Sequence, residues 1–310
     1  MKIRSLIFAT FVLLVLVGAL YWSGHHKPAE ESTKASADTP PTILKLDEAA
    51  VAGLELRNKN AEPIVLTRNS SGAWQIAQPK PLSADQSAVS GVISTLSSLD
   101  SERLLVNKLD NKASDLKPYG LDQPAVEIDV TEKDNKTQRL LIGDETPTGS
   151  AVYAMLAGDP RIFTMASYLK TSLDKGLDDF RNKKLFDIGF GDPARIEMRS
   201  GAKAYFLSKG GPDWWSNGKK MDAASVEDFI SKLRDLTASK FVESGFANPA
   251  IEITVTSDDG KRGEKASIAK SGSHYIGKRE NEPTLYELDS SAIAALQKAA
   301  DEIKPSAPGK

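Results

Sequence analysis

The sequence predicts an α+β protein made of two tandem related modules, each a mainly antiparallel sheet with packed helices, after one N-terminal transmembrane helix. Three observations point there. Residues 6–22 carry no charge. A block of apolar and turn residues recurs in the remainder. Short alternating strands outnumber helices and are joined mostly by short turns, which favours antiparallel pairing over a doubly wound parallel sheet. A chain of 310 residues suffices for about two domains of roughly 100–200 residues.

The uncharged run opens on Leu6 and closes on Trp22, with Lys2 and Arg4 before it. As a helix it would reach about 26 Å at roughly 1.5 Å per residue, close to the bilayer hydrocarbon core. The preceding basic residues keep the N-terminus cytoplasmic, and Tyr21 and Trp22 fall where an interfacial aromatic belt belongs. Residues 1–24 therefore read as a single-pass inner-membrane anchor of a bacterial cell, whose partner is the lipid bilayer. Val17-Gly18-Ala19 would also serve as a signal-peptidase site. Leu20, Tyr21 and Trp22 continue the apolar run past that cut and favour retention, and either reading exports the rest. Residues 25–42 hold almost nothing large and apolar and read as a flexible tether. His25-His26 within it reads as solvated rather than metal-binding.

Self-similarity organises the rest. Leu54-Glu55-Leu56-Arg57 recurs as Ile196-Glu197-Met198-Arg199, each with one apolar face. Ile64 to Thr67 and Ala204 to Leu207 follow as second strands, and each copy then reaches tryptophan, Trp74 or Trp214-Trp215. Asp85, Val89, Val92, Ile93, Leu96 and Leu99 align with Asp222, Val226, Phe229, Ile230, Leu233 and Leu236 at a constant offset of 137. That is the stripe of an amphipathic helix, with an aspartate placed to cap its start. An extra 12 residues around Asn111 to Pro118 reset the offset to 125. Gly120 to Thr131 then parallels Gly245 to Thr256 as a Gly-x-x-x-Pro turn feeding a half-buried strand. Further strands are expected at Arg139 to Ile142, Val152 to Met155, Lys265 to Ile268 and Tyr275 to Gly277. Each copy closes on a helix in which Leu173 and Phe180 match Leu296 and Ile303. The modules are placed at 43–187 and 188–304, with 305–310 a disordered tail.

Near-balanced charge, 40 Lys plus Arg against 42 Asp plus Glu, argues against nucleic acid as partner, because phosphate binding needs clustered positive charge. Cysteine is absent, which removes disulfides, thiolate nucleophiles and Cys-ligated zinc. No nucleophile-elbow, zinc-protease or phosphate-loop motif occurs. The sequence offers no catalytic, metal or cofactor residues.

Three groups are weighed for chemistry. His274, beside Ser271 and Ser273, reads as part of a hairpin turn rather than a triad. Glu127 with Asp129 could serve glycoside hydrolysis as acid and base. The period-two pattern already places them on a solvated sheet face, and the second copy keeps only Glu252 beside Thr254. Trp214 and Trp215 are adjacent and point to opposite sides of a strand. One should fill the core as Trp74 does, while the other could meet a partner. With Lys219 and Lys220 after Asn217-Gly218, the Trp214-Trp215 pair is the candidate contact for a protein or glycan.

Several of these motifs carry a resemblance. Gly72-Ala73-Trp74 with Pro79 to Asp85, Tyr119-Gly120-Leu121-Asp122-Gln123-Pro124, Leu140-Leu141-Ile142-Gly143 and Asp179-Phe180-Arg181-Asn182-Lys183-Lys184-Leu185 resemble the bacterial family called domain of unknown function 4340. The resemblance implies an anchored envelope protein, some members accompanying ABC-type transporters or gliding-motility components, and brings no catalytic residues. The second copy departs from the pattern at Ser244-Gly245-Phe246 and lacks the Leu-Ile-Gly-Asp sequel. The expected function is a non-catalytic, membrane-anchored extracytoplasmic accessory or scaffold protein contacting another envelope protein. The alternatives are an extracytoplasmic ligand- or glycan-binding protein and an envelope hydrolase using Glu127 and Asp129.

Overall fold

Along Val51–Asn58 (β1) Val51, Leu54 and Leu56 are buried while Glu55 and Arg57 face the other way, the alternation of a strand with one covered face. The same logic runs through a computed structural model of the chain, which describes residues 42–106, 113–186, 193–257 and 260–307. The expected anchor at 1–24 and the tether up to residue 41 lie outside the described residues. Among those described, no helix is long and apolar enough to cross a membrane.

Among the described residues the strands form two antiparallel nine-stranded sheets, with few helices. The first holds β1, Ile64–Arg68 (β2), Trp74–Gln78 (β3), Leu82–Ser83 (β4), Arg103–Val106 (β5), Val126–Glu132 (β6), Thr137–Glu145 (β7), Ala151–Leu156 (β8) and Ile162–Ala166 (β9). The second holds Pro193–Ser200 (β10), Lys203–Gly210 (β11), Asp213–Ser216 (β12), Lys219–Lys220 (β13), Lys240–Val242 (β14), Ile251–Ser257 (β15), Arg262–Ser271 (β16), His274–Arg279 (β17) and Leu285–Leu288 (β18). Their spatial orders are β4-β3-β2-β1-β6-β7-β8-β9-β5 and β13-β12-β11-β10-β15-β16-β17-β18-β14. These are one order, strand for strand.

One face of each sheet is covered by helices. Helix Gln86–Ser97 buries Val89, Val92, Ile93 and Leu96, and helix Ala223–Arg234 buries Val226, Phe229, Ile230 and Leu233. Each such side chain contributes roughly 1.5–3 kcal/mol relative to exposure. Asp85 caps the first, accepting from the amides of Ser87 at 2.9 Å and Ala88 at 3.1 Å, and Asp222 caps the second through Ser225 at 3.0 Å. A second helical layer packs beside each: Ser167–Leu173 with Leu177–Phe180 in the first half, and Ser290–Asp301 in the second.

The inserted stretch has its own use. Helix Ala113–Leu116 and the 3-10 turn Lys117–Tyr119 help cover part of the opposite face of the first sheet, where Leu121, Met155 and Ile162 pack with Leu116, Tyr119, Leu141 and Tyr153. Backbone meets backbone there. A Cβ on Gly143 would stand 2.1 Å from the carbonyl oxygen of Tyr119, and one on Gly120, at φ +64°, would stand 2.4 Å from the Asp144 carboxyl carbon. The register partner of Val126 is Ile142, and that of Ile251 is Ile268, so Ala269 takes the place of Gly143 in the second sheet, which has no such insertion to approach it.

Two expected boundaries shift. Leu185 and Phe186 pack in the second core, on the far side of the 187/188 division. Within the expected tail, Pro305 bridges Met221 and the amide of Ser306 donates to the carbonyl of Lys220 at 3.0 Å. Both follow from backbone bridges to residues far along the chain, Lys184 to Thr237 and Pro305 to Met221, which no local sequence pattern announces.

Candidate functional site

The two halves meet through residues 180–186. The carbonyl of Phe180 accepts from Asp85, the amide of Asn182 donates to Ser83 at 2.9 Å, and Arg181 bridges Ala84, so this stretch covers the edge of β4. Two residues later the chain changes partner. Lys184 bridges Thr237, Leu185 donates to Leu236 at 2.8 Å and Ala238 donates to Lys183 at 2.7 Å. The side chain of Arg279, only 6% exposed, donates to the carbonyls of Leu185 and Lys184. Arg181 stacks on Phe241, 3.4 Å from the ring centroid, and is ion-paired to Asp178 at 2.9 Å. The Phe180-to-Leu185 motif is thus a clasp between the halves, and a cleft of about 950 Å³ opens beside it, lined by Asn69, Gln75, Asn182, Lys184, Arg262 and Asn281 among others.

The candidate residues separate in the fold. Trp214 is 8% exposed and sits in the second core as Trp74, at 4%, sits in the first; it is not available to a partner. Trp215 is 38% exposed on the opposite face. Its register partners are Ser208 and Lys220, its indole lies over Gly210, and Phe206, two residues from Ser208 and 37% exposed, shares the same face. Arg195 lies over the Phe206 ring at 4.7 Å and pairs with Glu197 at 2.5 Å. Lys220 is ion-paired to Asp213 at 2.8 Å. Lys219 pairs in register with Ser216, so it belongs to the other face. Phe206 was missed because an alternating strand does not say which of its outward residues the neighbouring strand leaves uncovered.

Glu127 and Asp129 share a face, but Asp129 is 7% exposed rather than solvated. Arg139 grips it in bidentate fashion, Nε at 2.6 Å and Nη2 at 2.9 Å, and Arg57 donates to it at 3.2 Å. Arg57 also pairs with Glu55 at 2.8 Å and Glu127 at 3.5 Å. The hydrogen bond to Asp129, then its charge, raises the Arg139 guanidinium above its ordinary value. These carboxylates are ion-pair partners of Arg57 and Arg139. His274 is exposed, opposite Ser271 in the β16–β17 hairpin. Among the described residues no three His, Cys, Asp or Glu side chains are grouped to hold a metal ion.

A family described as "Domain of unknown function (DUF4340)" matches residues 74–252, and the chain belongs to that family. The matched stretch runs from Trp74 in β3 through the clasp to β15. No curated protein and no solved structure matches the chain.

Proposed function

We propose that this family member is a non-catalytic accessory or scaffold protein, held to the bacterial inner membrane by residues 6–22 with both sheets outside the cytoplasm. In this reading it contacts another component of the envelope, such as an ABC-type transporter, through the open face of the second sheet. The observation that carries the reading is the exposed pair Trp215 and Phe206, at positions where the first sheet has Gln75 and Val65. Large aromatics anchor interfaces because they bury much area at little entropic cost. Arg195 and Lys220 supply a polar rim.

A photo-crosslinking residue at position 215 of the full chain, in living cells, tests this. Capture of a transporter or other envelope subunit from position 215 and not from position 75 is the expected result; equal capture from both, or from neither, would count against it. An extracytoplasmic reporter fused after Lys310 should be active, and an active cytoplasmic one would overturn the topology. The cleft of about 950 Å³ favours a second reading, in which its amide-rich lining binds a glycan. In that case soluble envelope glycans should protect Asn182 and Asn281, and not Trp215, from chemical modification after Cys substitution.

A further inference from the structure

We propose that a second, smaller cavity at the junction is a binding site for a phosphate dianion, free or as a small phosphate monoester, bridging the two halves. The space measures about 290 Å³, at the lower end of ligand pockets. Its lining draws on three separate segments: Lys80 from the turn between β3 and β4, Arg181 from the clasp, and Lys278 with Thr284 from the second sheet and the loop before β18.

Three cations face one carboxylate, Glu243. No ion pair holds Lys80, Lys278 or Glu243 among the described residues, while Asp178 holds Arg181 at 2.9 Å from a position 67% exposed. A space of that volume is roughly 8 Å across, so an anion inside it stands within about one Debye length of the cations that line it at physiological ionic strength. Arg181 is oriented for the task. Its guanidinium is fixed on the Phe241 ring at 3.4 Å, and it commits one N–H to Asp178 and one, at 3.5 Å, to the Thr284 hydroxyl. Most of its five donors are left for a planar, bidentate contact of the kind that recognises phosphate. The Lys278 Nζ lies 5.9 Å from the Phe246 ring centroid, and both residues line the cavity. An ion held by Lys80 and Lys278 at once would tie one half to the other.

Isothermal titration calorimetry of inorganic phosphate into the full chain, at low ionic strength in chloride buffer, tests the site. The expected result is saturable binding of one ion per chain. Lys80→Ala and Lys278→Ala, both at exposed positions, should each weaken it about fivefold, as expected for losing a solvent-exposed charge pair. Glu243→Gln should tighten it by a similar factor. Tighter binding of glycerol 3-phosphate than of inorganic phosphate would identify an ester as the occupant, and the reverse would identify the free ion. The proposal is overturned by the absence of saturable binding, by unchanged affinity in both lysine variants, or by loss in Lys278→Ala with none in Lys80→Ala, which would place the ion on one half alone.

Discussion

The two halves share a strand order and use their open faces in opposite ways. On the first sheet one part of that face is closed by the insertion and its small apolar cluster, and another by the array of Glu55, Arg57, Glu127, Asp129 and Arg139. On the second, Glu197, Arg199, Glu252, Thr254 and Lys265 occupy the same register positions, the central acid is gone, and Phe206 and Trp215 reach solvent. One backbone plan thus supports a face closed on itself and a face left open. The difference lies in a handful of outward side chains and one insertion, while the helix-covered face is kept alike.

If the covered faces are equivalent, damage to them should be equivalent too. Ile93→Ala and Ile230→Ala remove residues 3% and 1% exposed and should each cost roughly 2–5 kcal/mol. Urea unfolding of the full chain should show both changes lowering one common midpoint, because the clasp hydrogen-bonds to both halves. Two separate transitions, each moved by one substitution only, would show that the halves unfold independently and that the clasp does not couple them.

The open faces should differ. Asp129→Ala strips Arg139 of both its hydrogen bonds and Arg57 of one, and should cost about 1–3 kcal/mol, toward the lower end because the Arg139 side chain is 44% exposed to water. Thr254→Ala, at the matching position, should stay within about 0.5 kcal/mol. Equal costs by denaturant titration would mean the ion array adds nothing.

A third contrast is readable in alkali. Tyr205 takes the register position that Ile64 holds in the first sheet, and burial, then the hydrogen bond to Asp301 and its charge, push the phenol up to about 12 from 10.0. The fold favours the neutral phenol, so this contribution to stability is complete below pH 10 and disappears as pH rises through about 12. Tyr286, raised further by burial, adds to the same loss above pH 10, so the comparison with Tyr205→Phe is what isolates Tyr205. Thermal midpoints from pH 9 to 12 should fall for the natural chain and fall less for Tyr205→Phe; parallel curves would remove Tyr205 from the account.

How much of this the sequence discloses depends on range. The six helix pairs and the aspartate caps are legible, because 3.6-residue periodicity and capping act within a few positions. The alternation of β1, β6, β10 and β15 is legible for the same reason. The two-residue strands β4 and β13 and the pairing of 181–184 are not, since their partners lie far along the chain and two residues carry no period. Alternation placed Asp129 on the outward face, yet gave no sign that Arg57 and Arg139 would cover it. Lys80 and Lys278 look like ordinary surface lysines until the fold sets them around one cavity.

The smallest effect on stability falls where the largest effect on contact is expected. Trp214 and Trp215 are consecutive, chemically identical and differently placed, one 8% and the other 38% exposed. Trp214→Ala should cost roughly 3–5 kcal/mol as a core truncation, whereas Trp215→Ala should change stability by less than about 0.5 kcal/mol. If the open face of the second sheet is the docking surface, the order reverses in a binding measurement. Trp215→Ala at normal abundance should then weaken capture of the envelope partner by about 2 kcal/mol, the size of an interface hot spot, and Gln75→Ala on the first sheet should leave it unchanged. A stable, abundant Trp215→Ala protein that retains its partner at full strength would return this face to ordinary solvated surface and leave the cleft at the clasp as the place to look.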